Sequence, residues 1–186
     1  MSQVNFSSTS SVSFGELGPT TSLQLMFAKL QLELAQTAKT QAMDKMDAIA
    51  SAQDEQKLVS QLLNEARQAK ADANSGVGND KEKTQTYELP KKDANGNEVH
   101  DAQGNVVYET VTETVPKGNN ATFMSQEMVD YMDAHGLAYD KTGNNHSHSA
   151  DEWDVAITAL ESRLEELGTN TQQEMVYVQD YMGQYN

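Results

Sequence analysis

Cysteine is absent from all 186 residues, which removes disulfides, thiol nucleophiles and thiolate metal sites. Large apolar side chains are scarce. Leu, Ile, Val and Phe number 14, 2, 13 and 4, about 18% of the chain and below the roughly 20% at which high net charge disfavours a globule. Positive charge is scarce as well: 13 Lys and Arg stand against 28 Asp and Glu, a net charge of −15. A phosphate backbone is held by Lys and Arg, so nucleic acid is not an expected partner. No apolar run approaches the roughly 18 residues of a membrane span, so membrane contact is expected to be indirect only. The first basic residue is Lys29, so a cleavable secretory leader with a charged start is not expected.

So lean a composition suits long helices, whose turns need only one or two seam residues each. Four zones follow. Residues 1–18 are rich in Ser and Thr and read as a disordered tail. Residues 19–74 read as one long helix. Pro19 and the hydroxyls of Thr20, Thr21 and Ser22 supply start chemistry, and neither Gly nor Pro recurs before Gly76. Leu23, Phe27, Leu30 and Leu34 are spaced 4-3-4, and Ala38, Ala42, Met46 and Ile49 continue the seam towards Val59, Leu62 and Ala66.

Residues 75–149 read as an insertion. Two glycines and turn formers open it at 74–80, after which the period changes. Tyr87, Val107, Tyr108, Thr110, Val111, Thr112 and Val115 belong to alternating β-branched or aromatic runs, which predict a β-hairpin over about 84–115. Between the runs lies a short repeat, Asp93-Ala94-Asn95-Gly96-Asn97 and Asp101-Ala102-Gln103-Gly104-Asn105, each a turn that favours positive φ. A short helix follows at about 125–135, stopped by Gly136. Residues 150–186 read as a second long helix. Trp153, Ile157, Leu160, Leu164, Leu167, Thr171, Glu174, Val178, Tyr181 and Tyr185 alternate by four and three, and the seam still runs where the chain stops. The fold class is therefore mainly α: a long antiparallel, coiled-coil-like helical hairpin with a small inserted α+β region.

Chemistry-bearing patterns are few. Asp140–Asp151 spans 12 residues between two helices, as a calcium loop does, with Asp140, Thr142, Asn144 and Asp151 at ligand positions. Asn145 stands where that loop needs glycine, so the expectation is a solvated connection with Ser149 as N-cap. His146 and His148, with Asp140 or Asp151, are weak candidates for a transition metal. Two histidines in a Ser- and Asn-rich loop are expected to be exposed. No phosphate loop, nucleophile elbow or dinucleotide fingerprint occurs, so neither an enzyme nor a cofactor is expected.

The layout resembles secreted components of the type III secretion apparatus, the EspA/SseB-type filament proteins and the LcrV-type needle-tip proteins. The resemblance rests on the Ser/Thr-rich start, the two long helices, Gln126-Glu127-Met128-Val129-Asp130-Tyr131-Met132-Asp133-Ala134-His135-Gly136-Leu137, and the stretch Asn170–Gln179. It implies assembly at a needle tip or as an extracellular filament, at the bacterial cell surface, with needle and translocator proteins or further copies as partners. It also implies a dedicated chaperone before export. Leu23, Phe27, Leu30, Leu34, Trp153, Ile157, Leu160, Leu164, Leu167 and Val178 would then carry assembly, with no catalytic residue. The alternative is an acidic binding module, calcium-responsive or nucleic-acid-mimicking, that engages a basic protein.

Overall fold

The structure, a computed structural model, describes residues 23–28, 36–143 and 145–184. The tail at 1–18, the helix start at 19–22, Leu30, Leu34, Asn144 and Tyr185 lie outside these residues. About 55% of the described residues are helical. Residues 23–28 are helical. They are followed by α1 (Gln36–Ser75), β1 (Lys83–Pro90), β2 (Tyr108–Val115), β3 (Thr122–Phe123), α2 (Gln126–Ala134), β4 (Ser147–His148) and α3 (Trp153–Gln184). The chain divides into two compact units, Met1–Val59 with Arg163–Asn186, and Ser60–Ser162. Helices α1 and α3 contribute residues to both.

In the first unit Ala42, Met46 and Ile49 of α1 and Val178 and Met182 of α3 share an apolar cluster with Leu23 and Met26. Residues 29–35 lie outside the described residues, so the single helix expected over 19–74 is described as helix over 23–28 and 36–75. Ion pairs Lys45–Glu174 at 3.0 Å and Arg163–Glu55 at 2.7 Å cross between α1 and α3 in this unit. The middle of α3 has a packing role. A side chain at Gly168 would meet the Gln56 amide at 3.3 Å, and the buried Thr171 hydroxyl lies 3.4 Å from Gln56 Oε1.

In the second unit Val59's successors Leu62, Leu63 and Ala66 bury one stripe of α1, and Ala156, Ile157 and Leu160 bury one stripe of α3. Lys70–Asp154 at 2.6 Å and Arg67–Glu161 at 3.5 Å link those segments at the surface. In both units residue numbers fall along α3 as they rise along α1. Exposed pairs of this kind contribute little energy but they mark register.

The expected hairpin is present. β1 and β2 pair antiparallel from Lys83 opposite Val115 to Pro90 opposite Tyr108. The two repeated turns are alike: Asp93 Oδ1 accepts from the amides of Asn95 and Asn97, and Asp101 Oδ1 from those of Gln103 and Asn105. Gly96 and Gly104 adopt φ of 81° and 82°, which L side chains rarely take. Lys91 N donates to Val107 O, Val107 N to Val99 O, and Val99 N to Lys91 O, closing a ring of three backbone bonds at the hairpin tip. The eight-residue spacing of the repeat is what lets the three residues meet.

Candidate functional site

The centre of the second unit is built from short elements. On β2, Val111, Glu113 and Val115 face inward and Thr110, Thr112 and Thr114 face outward, so Glu113 lies on the inner face between two valines. Tyr87, opposite Val111, enters from β1 and is fully buried. The chain then runs through β3 into α2, where Ser125 caps the helix by accepting from Met128 N at 3.1 Å. Met124, Met128 and Met132 are buried around the centre. β4 pairs with β3, with Thr122 opposite His148 and Phe123 opposite Ser147. A capping box then starts the last helix: Ser149 N donates to Glu152 Oε1 at 2.7 Å, and Glu152 N reaches back to Ser149 Oγ at 3.4 Å.

The expectation of exposed histidines is therefore corrected. His146 and His148 retain 5% and 0% of their exposure. The loop does not stay in solvent because β4 is drawn into pairing with β3 while Met124 N donates to His146 O at 2.8 Å. His146 Nδ1 sits 2.7 Å from Glu113 Oε2, and its ring lies 4.7 Å from Tyr87 and 5.9 Å from Tyr139. His148 meets Trp153 edge-on at 5.0 Å and lies 6.1 Å from Tyr139. Trp153 Nε1 donates to Thr122 Oγ1, which in turn donates to the carbonyl of Ala69, both at 2.8 Å.

The electrostatics follow from burial. Desolvation raises the Tyr87 phenol, and the nearby Glu113 carboxylate adds to it. Tyr139 is raised by the same cause and by its hydrogen bond to Asp133 at 2.7 Å. Both phenols are therefore donors, not phenolates, at neutral pH. Burial lowers the His148 imidazole, against the pull of Glu152 and Asp140. Asp140, by contrast, lies at the surface, where the hydroxyl and amide of Thr142 lower its carboxyl.

The metal candidates do not converge. Among the described residues no group of three or more His, Asp or Glu is placed to hold a metal ion. Asp140 is occupied by Thr142, Asp151 is exposed, and His146 is engaged by Glu113. Of the assembly residues, Leu23, Leu167 and Val178 are buried in the first unit, and Trp153, Ile157 and Leu160 in the second. Phe27 and Leu164 are half-buried. Trp153 belongs to the histidine centre as well as to the helical stripe.

Glu113, Tyr87 and Tyr139 were not singled out from the sequence as site residues. The available signal for Glu113 was its place on the valine-bearing face of an alternating strand. Glu113→Ala should cost about 1–3 kcal/mol, because it strands a buried imidazole nitrogen. Glu113→Gln should cost distinctly less, since an amide still offers an oxygen. Urea unfolding of the two variants checks this; equal costs would contradict the hydrogen-bonded role.

The fold and centre together define a mainly helical protein with a small β-ribbon and a buried histidine–tyrosine–tryptophan cluster. No helix among the described residues is long and apolar enough to cross a membrane. No family model, curated protein or solved structure matches the chain.

Proposed function

We propose that this protein is a secreted structural component of a type III secretion apparatus, assembling at the needle tip or as an extracellular filament. Its working part is an antiparallel helical hairpin of α1 and α3. The observation that supports this reading is the burial of matching apolar stripes on both helices, with ion pairs running in opposite sense along them. Helix α3 also leaves apolar side chains exposed, including Val176 and Tyr177 at 51% and 54% exposure. Such residues suit association with needle or translocator proteins or with further copies, and a chaperone would cover them before export. The net charge of −15 keeps the exported monomer soluble.

The test is export. In a bacterium with a working apparatus the full chain should reach the medium, and deleting residues 2–18 should stop it. Secretion that persists in a strain lacking the apparatus would overturn the reading. Complexes formed by the exported chain should hold as salt rises, because apolar burial is not screened. A complex that dissolves steeply with salt would favour the acidic binding module instead.

A further inference from the structure

His148 is fully buried, yet neither of its ring nitrogens has a hydrogen-bond partner among the described residues. A neutral imidazole tolerates such a place at some cost, but an imidazolium there would be a buried charge with no acceptor. The ring also occupies a structural junction. Its own residue pairs with Thr122 on β3, the Thr122 hydroxyl binds Trp153 Nε1 on the first turn of α3, and Trp153 packs against the ring itself. His148 thus stands where β3, β4 and the start of α3 meet, with its ring against Trp153.

We propose that His148 is a proton-operated latch: neutral, it closes this junction, and protonated, it releases β4 and the first turn of α3.

The groups facing it come from every neighbouring element. They are Glu152 at the start of α3, Asp140 in the connection after α2, Glu113 on β2, and His146 beside β4. The three carboxylates attract an imidazolium, but each is already engaged. Glu152 accepts from Ser149 N, Asp140 from the amide and hydroxyl of Thr142, and Glu113 is paired with His146. His146 adds repulsion if it too is charged. Desolvation outweighs the attraction and holds His148 below its ordinary value of 6.5. The direction of the linkage follows. Above pH 6.5 both closed and open forms carry a neutral ring, and the latch is pH-independent. Below it the open form takes up a proton that the closed form refuses, so opening grows by up to about tenfold per pH unit until the closed-state value is reached.

Trp153 is the chain's single tryptophan and is buried against His148, so its emission reports the junction directly. The full chain is titrated from about pH 8 to about pH 4.5, across the range in which histidine changes charge. Emission should move toward that of exposed indole as pH falls below 6.5, and His148→Phe should stay closed to distinctly lower pH. A wild-type signal that stays flat throughout overturns the latch, as does a His148→Phe midpoint equal to that of the wild type. Should His148→Phe fail to fold, NMR titration of the His148 ring in the unaltered protein decides. The ring must take its proton together with the Trp153 change, and protonation with Trp153 still buried overturns the proposal.

Discussion

Leu160→Asp is expected to unfold the unit of residues 60–162. Leu160 is 0% exposed on the inner stripe of α3, and a carboxylate there has no partner. The loss combines the leucine's burial with the desolvation of a charge, about 4 kcal/mol or more, against the 5–15 kcal/mol that holds a typical domain. Leu164, one turn further on, is only half-buried. Leu164→Asp should therefore cost much less, although the heptad spacing alone ranks the two leucines as equals. Circular dichroism during urea unfolding separates the cases. A Leu160→Asp protein as stable as Leu164→Asp would show that the inner stripe of α3 is not where this structure places it.

Trp153→Ala should destabilise the same unit by about 3–5 kcal/mol, the usual cost of emptying a large aromatic site in a packed core. Its effects go beyond volume. The Thr122 hydroxyl loses its donor, and His148 loses the ring on which its edge rests. Trp153→Phe should recover most of the packing but not the hydrogen bond, leaving a deficit of about 1 kcal/mol. The midpoint of urea unfolding, compared across the three proteins, checks the order. If alanine and phenylalanine cost the same, the hydrogen bond and not the ring would be the main contribution.

The elements most legible in the sequence were those whose signals are local. Turn chemistry at Gly96 and Gly104, β-branched alternation through Thr110, Val111 and Thr112, and the Gly136 stop all act within a few residues. The hairpin, the short helix and the turns appear close to their expected positions for that reason. The repeat was legible as two turns, but the ring formed by Lys91, Val99 and Val107 was not, because it depends on three strand segments meeting. Heptad spacing likewise marked Leu160, Leu167 and Val178, yet it could not say that Leu164 between them is only half-buried.

The histidines show the same limit from the other side. His146-Ser147-His148 sits in a run of Asn, Ser and Asp whose local composition reads as solvated loop. Burial of that run depends on two hydrogen-bonded residue pairs with β3, on a carboxylate 33 positions earlier, and on aromatic rings from three other segments. None of these partners lies within a helical turn or a strand step of the histidines.

By itself, then, the sequence determined a helix-rich chain with an inserted β-ribbon, because period and turn chemistry are properties of neighbouring residues. Which side chains are buried was settled only in three dimensions. The Glu113–His146 pair, the unpartnered ring of His148 and the difference between Leu160 and Leu164 arise where distant segments exclude water from one another. Desolvation acts on whatever side chain ends up in such a place, whatever its neighbours in the chain would suggest.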